Sequence, residues 1–132
     1  MIANTQISKR NYSFIATVIK EGKEIAISET KGNKQLHKLK ITKKSEIASK
    51  FNCISFSWKD TYFAAGTSSG DINILNLVNN GNVEVLQKHH FGEIKSIWFS
   101  KLQDLLYSTG DDGVIKSYDL TLQKQSKYFQ KS

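Results

Sequence analysis

The sequence contains no proline and only one cysteine, Cys53. A single cysteine cannot form an internal disulfide, so the composition favours a reducing compartment, the cytoplasm or the nucleus. The amino-terminal stretch MIANTQISKR is polar, and the apolar run from Tyr12 to Ile19 is too short to span a bilayer. No low-complexity tract or linker divides the chain. We therefore expect one intracellular domain over residues 1–132 that does not contact a membrane.

Arginine is also scarce, since Arg10 is the only one among 19 basic residues. The net charge of +7 is uneven: residues 20–50 hold nine lysines and four glutamates, whereas residues 51–132 are balanced. This basic third could contact a polyanion such as RNA. The candidate contacts are Lys34, Lys38, Lys40, Lys43 and Lys44. Solvated lysines on exposed strands are the alternative interpretation, and without arginine any RNA contact would be non-specific and salt-dependent.

The sequence lacks a convincing catalytic or metal-binding cluster. His89 and His90 adjoin Glu93, but neighbouring residues on a strand point to opposite faces and no further Cys/His ligands follow. Residues 111–113, Asp-Asp-Gly, are ordinary turn chemistry. Cys53 lies in an apolar run with no partner base. We expect no enzyme activity, no metal and no cofactor.

What the chain does contain is a series of short strand-like runs. Three of them follow one another as Ile94 to Phe99, Leu105 to Ser108 and Val114 to Leu120. Asp112-Gly113 separates the last two, and Asp-Gly between runs rich in β-branched and aromatic residues is a strong hairpin signal. The segment therefore predicts three consecutive antiparallel strands.

The middle of the chain repeats this pattern at a fixed offset of 43 residues. A period of roughly 40–45 residues is typical of four-stranded propeller blades. The offset aligns Phe51 with Ile94, Ile54 with Ile97, Phe56-Ser57 with Phe99-Ser100, Gly70 with Gly113, Ile72 with Ile115, and Leu77 with Leu120.

The amino-terminal third is a weaker copy, which gives approximate units of 11–50, 51–89 and 90–132. Its predicted strands are residues 12–19, 24–28, 36–41 and a short fourth at 45–50, while residues 2–8 are a candidate extra edge strand. Lys38 and Lys40 share one face of the third strand. Two lysines on one face indicate a terminal or uncovered unit. Fourth strands of the other units are predicted at 83–87 and 125–130.

The last unit resembles one repeat of the WD-repeat (WD40) β-propeller family. That family shows Gly-His, spaced aliphatics ending in Phe-Ser, Ser-x-Asp-Gly and Trp-Asp. The corresponding places here hold His89-His90, Ile94/Ile97/Phe99-Ser100, residues 110–113 and Tyr118-Asp119. Histidine replaces the family's glycine and Tyr118 its tryptophan. The resemblance implies an all-β chain of about three degenerate, four-stranded antiparallel units, a partial propeller.

The resemblance also implies a polar network that ties a blade together. In the last unit its members would be His90, Ser108, Asp112 and Tyr118. The equivalent places of the middle unit hold Ile47, Ala65, Ser69 and Leu75. We therefore expect the middle unit to lack this network and to depend on apolar packing.

The function that the resemblance implies is a non-catalytic scaffold for protein–protein interaction within an intracellular multiprotein complex. Partners would contact the loops that join strand 4 to strand 1 and strand 2 to strand 3, where Lys88, Phe91 and Asp111 are the candidates. The alternative is an RNA-associated subunit that uses the basic third. Propellers normally close with about four to eight blades. Three units therefore imply a piece of a longer propeller, a self-paired six-bladed ring, or a partner subunit that supplies the missing blades.

Overall fold

The computed structural model describes residues 5–10, 13–31, 35–40, 49–78 and 83–130, with the backbone alone for 35–40 and 124–130. Within these ranges the chain forms twelve β-strands and one short 3₁₀ turn, Lys20–Gly22. The strands are β1 (Thr5–Ile7), β2 (Phe14–Ile19), β3 (Glu24–Glu29), β4 (Gln35–Lys40), β5 (Phe51–Phe56), β6 (Tyr62–Thr67), β7 (Ile72–Asn76), β8 (Val83–Leu86), β9 (Ile94–Phe99), β10 (Leu105–Gly110), β11 (Val114–Asp119) and β12 (Lys124–Gln130).

The strands form three four-stranded antiparallel sheets, each a simple meander. The first sheet is β1–β4, the middle sheet β5–β8 and the last sheet β9–β12. The all-β class and the four-stranded units are confirmed. Among the described residues, no helix is long and apolar enough to cross a membrane.

The middle and last sheets repeat each other in strand register. Phe56 pairs with Phe63 in the middle sheet, and Phe99 pairs with Leu106 in the last, which is the same pairing 43 residues later. Gly70 and Gly113 both have positive φ, +94° and +72°. A Cβ on Gly70 would lie 2.1 Å from the carbonyl oxygen of His90, so close backbone approach as well as φ requires glycine there.

The first sheet differs from its predicted strand order. Its edge strand is β1, in which Ile7 pairs with Ile15, so the run predicted as the first strand is the second. The run predicted as the third strand is the fourth, β4. The strand predicted at 45–50 falls mostly outside the described residues. Residues 41–48 lie outside the described residues, and 49–50 are not in a strand. β1 lies within residues 2–8, the predicted candidate for an extra edge strand, so that strand is present and shifts the order of the strands after it by one.

Two apolar cores hold the three sheets together, and the middle sheet contributes to both. The alternation of side chains along β6 sends Phe63 and Ala65 to one core and Ala64 to the other. The first core contains Ala16, Ile25, Ile27, Phe51, Ile54, Phe56, Phe63, Ala65 and Leu75. The second contains Ala64, Ile72, Ile74, Ile94, Ile97, Phe99, Leu106, Tyr118 and Leu120. Burying one such large side chain contributes about 1.5–3 kcal/mol.

The outer faces of the first and last sheets remain open in the described part of the chain. Ile72 is fully buried between sheets, whereas its counterpart Ile115 is 40% exposed on the outer face of the last sheet. On that same face Trp98 stacks on Tyr107 with ring centroids 5.5 Å apart. On the first sheet Ile7 is 50% exposed. The difference between Ile72 and Ile115 therefore comes from the neighbouring sheet, not from the repeat.

Candidate interaction surface

One set of loops gathers at the same end of the middle and last sheets. We call it the upper loop surface, and define it as residues 67–71, 87–93 and 110–113. Backbone hydrogen bonds join its parts: the amide of His90 donates to the carbonyl of Gly70 over 3.2 Å, and the amide of Asp111 to the carbonyl of Glu93 over 2.9 Å. The amide of Lys88 donates to Asp71 Oδ1 over 2.7 Å. The surface is thus fixed by hydrogen bonds between its loops, most of them between backbone groups.

A buried histidine lies beneath this surface. His90 is 1% exposed, and its Nδ1 lies 3.0 and 3.1 Å from the two carboxylate oxygens of Asp112. Its Nε2 lies 2.8 Å from Ser108 Oγ. Because a carboxylate only accepts, Nδ1 carries the hydrogen. The structure therefore brings together three of the four residues that the resemblance places in the network.

Asp112 connects this network to the loop backbone. It accepts hydrogen bonds from the amides of Phe91, over 3.0 Å, and Val114, over 3.1 Å. Burial alone would raise the pKa of Asp112, but the hydrogen bonds from His90, Val114 and Phe91 outweigh it and lower that pKa. Asp112 thereby sets the backbone position of Phe91.

Tyr118, the fourth residue of the implied network, makes a different contact. Its hydroxyl donates to Glu84 of β8, 2.7 Å from Oε2, and its ring lies in the second core at 5% exposure. Burial and the Glu84 carboxylate raise the pKa of the tyrosine hydroxyl. Tyr118 therefore ties the last sheet to the outer strand of the middle sheet and does not join His90. Glu84 had no signal in the sequence beyond its place on an alternating strand.

The three residues proposed for partner binding all lie exposed on the upper loop surface. Phe91 is 86% exposed although its amide is hydrogen-bonded, and Lys88 is exposed with a φ of +48°. Asp111 is also exposed. An exposed aromatic ring on a fixed backbone is the feature of this surface that most favours association.

Sequence reasoning missed a cluster of charged and polar side chains beside Asp111. Lys95 Nζ lies 3.3 Å from Asp111 Oδ1 and 2.7 Å from Glu93 Oε2. Asn52 of the middle sheet donates to Glu93 Oε1 over 2.7 Å. Hydrogen bonds from Lys95 and Asn52 lower the pKa of Glu93. The cluster therefore presents a mixed-charge edge next to Phe91.

The residues proposed for polyanion contact are mostly outside the described part of the chain. Lys34, Lys43 and Lys44 are not described. The backbone register sets Lys38 across from Ala26 and Lys40 across from Glu24. Ala26 and Glu24 alternate along β3 with the buried Ile25 and Ile27, which pack on the middle sheet. Lys38 and Lys40 therefore occupy register positions of the other face of the first sheet.

Two groups that could be considered for chemistry are held in unreactive forms. Burial raises the pKa of the Cys53 thiol to about 12, so it is protonated at neutral pH and is a poor nucleophile. Burial, His90 and Lys116 lower the pKa of His89 to about 4, so this imidazole is neutral. Within the described residues, no group of three His, Cys, Asp or Glu side chains could hold a metal ion.

Comparison with known proteins begins with sequence. No protein-family model matches the chain. Among curated proteins, the chain is 29% identical over 68 residues to a DDB1- and CUL4-associated factor 11 homolog from Caenorhabditis elegans, and 28% identical over 68 residues to the Caenorhabditis briggsae homolog. Each match covers 51% of this chain and 12% of the relative. The chain therefore matches only a small part of these proteins.

Solved structures match over nearly the whole chain. The WD40 repeats of RRP9 superpose with a TM-score of 0.80 at 19% identity, covering 96% of this chain and 38% of theirs. Chaetomium thermophilum Sqt1 bound to the N-terminus of ribosomal protein L10 superposes with a TM-score of 0.81 at 21% identity, covering 96% and 33%. This chain thus spans about a third of the solved propellers that it matches, and its three sheets have the fold of consecutive WD-repeat β-propeller blades.

Proposed function

We propose that the protein is a non-catalytic WD-repeat scaffold that binds another protein through the upper loop surface, within a multiprotein complex of the cytoplasm or nucleus. The observation that carries this proposal is Phe91, whose ring is 86% exposed while its amide is held by Asp112. Because the backbone of Phe91 is already held, only its side-chain torsions have to be fixed on binding.

The surroundings of Phe91 support a protein partner. Aromatic side chains are enriched among residues that dominate interface energies, and charged groups at the rim give orientation and specificity. Here Lys88 lies on the same loop and the Lys95–Glu93–Asp111 cluster borders it. The solved Sqt1 structure, with its bound ribosomal-protein segment, shows that a relative with this fold accommodates a peptide.

A comparison of partners recovered by the unmodified protein and its variants tests the assignment. We expect Phe91→Ala to lose at least one partner that the unmodified protein recovers after cross-linking in cells, with smaller losses for Lys88→Ala and Asp111→Ala. Val85→Ala is the matched control, because Val85 is 45% exposed but lies on the outer strand β8, outside both sets of loops. Unchanged partners in all three upper-surface variants would remove the site assignment.

An RNA-associated subunit is the second candidate, favoured by the nine lysines and four glutamates of residues 20–50. Binding through lysines releases condensed counterions, so affinity should fall steeply with salt. Fluorescence anisotropy with a mixed-sequence RNA, from low to physiological ionic strength, measures this dependence. Absence of salt-dependent binding at low ionic strength excludes this candidate.

The uncovered outer faces raise the question of what completes the ring. Additional blades of a longer chain, a second copy of this chain or a partner subunit would each cover the Trp98 face and the Ile7 face. Size-exclusion chromatography with light scattering separates these alternatives. A species of twice the 14.9 kDa chain mass favours a self-paired ring, whereas heterogeneous aggregation favours blades supplied from elsewhere.

A further inference from the structure

The loops at the other ends of the strands form a second surface, unrelated to Phe91. We call it the lower loop surface, and define it as residues 8–10, 57–61, 77–78, 100–104 and 120–123. Its loops lie side by side, because the amide of Leu77 donates to the carbonyl of Thr61 over 2.8 Å and the amide of Leu120 to the carbonyl of Asp104 over 2.9 Å. These bonds join neighbouring loops at the lower end of the middle sheet and, separately, at the lower end of the last sheet.

Trp58 occupies the centre of this surface. Its indole Nε1 donates to the carbonyl of Phe99 in the last sheet over 3.3 Å, yet the residue is 41% exposed. The ammonium groups of Lys9 and Lys101 each lie 5.2 Å from the ring centroid, within cation–π range. The ring is thus oriented by three contacts from three different loops or strands while part of it stays open to solvent.

The loop that brings Lys9 to this ring is itself fixed. The amides of Lys9 and Arg10 donate to Asp60 Oδ1 over 3.0 and 3.2 Å, and Lys9 Nζ donates to the carbonyl of Phe56. Burial lowers the pKa of Lys9, although Asp60 opposes the shift. Arg10, Lys59 and Lys101 are instead exposed. The surface therefore has one partly buried cation, Lys9, and three accessible ones.

Exposed aliphatic side chains accompany the tryptophan. Leu102 is 91% exposed, Val78 69% and Leu122 62%, all on lower loops. On the upper loop surface, Phe91 is the large apolar side chain that is exposed in the described residues. A shallow cleft between the two sheets, lined by Trp58, Tyr62, Leu102 and Leu120 among others, opens among these groups. Exposed apolar groups rimmed by charge mark association sites.

The charge of the lower loop surface selects the kind of partner. The surface as defined contains four cations, Lys9, Arg10, Lys59 and Lys101, and two acids, Asp60 and Asp104. Asp60 is buried and accepts the two loop amides, so the accessible charge is predominantly positive. A nucleic acid would use the cations and the ring but would gain little from Leu102, Val78 and Leu122, since bases stack on aromatic faces. A polypeptide uses all of these groups.

We propose that the lower loop surface binds an acidic protein segment that packs a large apolar side chain against the exposed parts of Trp58 and Leu102, with its carboxylates on Lys101 and Lys59. This site is separate from the upper loop surface, and neither depends on the other.

A defined peptide tests the proposal with the full 132-residue chain. The probe is a fluorescein-labelled 12-residue peptide of glutamates with Leu-Phe at its centre, measured by fluorescence anisotropy. One comparison peptide has Ser-Ser in place of Leu-Phe, a second has lysines in place of glutamates, and an oligouridylate of the same length represents nucleic acid. We expect the acidic Leu-Phe peptide to bind at least about tenfold more tightly than each of the others.

Variants locate the binding. Lys101→Glu and Leu102→Ser should each weaken the acidic Leu-Phe peptide about five- to tenfold, and Trp58→Ala should weaken it further. Leu102→Ser keeps the test decisive if Trp58→Ala fails to fold, because Leu102 is 91% exposed. Lys95→Glu, the same charge change on β9 next to the upper loop surface, is the matched control and should change affinity less than about twofold. Phe91→Ala should also have no effect.

Three outcomes would overturn the proposal. The first is equal weakening by Lys101→Glu and Lys95→Glu, which would mean that net charge alone attracts the peptide. The second is equal binding of the Ser-Ser peptide, or no binding at all. The third is that oligouridylate binds more tightly than the peptide and that Trp58→Ala and Lys101→Glu both weaken oligouridylate binding. This result would identify the surface as a nucleic-acid binding site.

Discussion

The middle and last sheets share a strand register 43 residues apart, but they stabilise their upper loops with different chemistry. The last sheet uses a buried histidine between a serine and an aspartate, His90, Ser108 and Asp112. The middle sheet uses hydroxyl groups. Ser69, which holds the place of Asp112, lies 2.9 Å from Ser49 Oγ and 3.1 Å from Thr67 Oγ1. Buried polar groups are hydrogen-bonded in both sheets, but only the network of the last sheet contains an imidazole and a carboxylate.

The middle sheet therefore adds a hydroxyl network to the apolar packing that was predicted for it. Thr67 Oγ1 accepts hydrogen bonds from the amides of Ser69, over 3.3 Å, and Asp71, over 3.0 Å. Thr67 and Asp71 are buried. The apolar positions and the strand pairing recur in both sheets, whereas the polar side chains at the turns differ. Two repeats can therefore share a backbone path although different side chains hydrogen-bond their turns. The comparison between the two sheets is directly testable.

The largest effect should come from His90→Ala. This change leaves Ser108 and Asp112 without their buried partner, and we expect the free energy of unfolding to fall by about 3 kcal/mol. Urea unfolding at neutral pH, followed by tryptophan fluorescence, measures it. A loss below about 1 kcal/mol would show that the histidine network contributes no more than an ordinary hydroxyl pair.

The pH dependence should come from His89, in the loop between β8 and β9, and from Asp112 in the last sheet. The folded pKa of His89, about 4, lies below its ordinary value of 6.5, so the folded state resists a proton that the unfolded state accepts. The free energy of unfolding is therefore unaffected by His89 above pH 6.5 and decreases as the pH falls toward 4. After allowance for solvent screening, we expect this decrease to be about 2 kcal/mol. The lowered pKa of Asp112 adds a further loss at still lower pH, below its ordinary value of 3.8.

Urea midpoints at pH 7.5, 5.5 and 4.5 test this dependence. His89→Gln should flatten the decline between pH 6.5 and 4.5, whereas Ser69→Ala in the middle sheet should leave its slope unchanged. An equally steep decline in His89→Gln would assign the acid sensitivity to other groups.

Tyr118→Phe should have a smaller effect. It removes the hydrogen bond to Glu84 but keeps the ring in the second core, so we expect a loss of about 1–1.5 kcal/mol. A double-mutant cycle with Glu84→Gln isolates the interaction between the two side chains. Additive losses would contradict a direct bond between the sheets.

The smallest effect should come from Ser69→Ala. Its hydroxyl contacts Ser49 and Thr67, and Thr67 keeps its bonds to the loop amides, so we expect a loss of about 1 kcal/mol or less. The same urea experiment measures it beside His90→Ala. A loss as large as that of His90→Ala would erase the proposed difference between the two sheets.

Local signals predicted most of the fold. Strand β9 has the bounds expected from its apolar pattern, and Gly70 and Gly113 occupy the turns assigned to them. Residues 2–8 were predicted only as an extra edge strand, because the three residues of β1 carry too little alternation to identify it as the first strand of its sheet. Within the candidate sites, the contact between His90 and Asp112 followed from resemblance, whereas the cluster of Lys95, Glu93 and Asn52 had no sequence signal.

The sequence by itself determined where the strands of the middle and last sheets lie, because alternation and turn glycines act between residues close in the chain. Tertiary structure decided which side chains meet between sheets. Tyr118 reaches Glu84 across 34 positions of sequence, and Trp58 reaches Phe99 across 41. Such contacts depend on how neighbouring sheets stack, and residue spacing does not encode that geometry. The same stacking buries Ile72 and leaves Ile115 exposed, although the repeat gives both residues the same place.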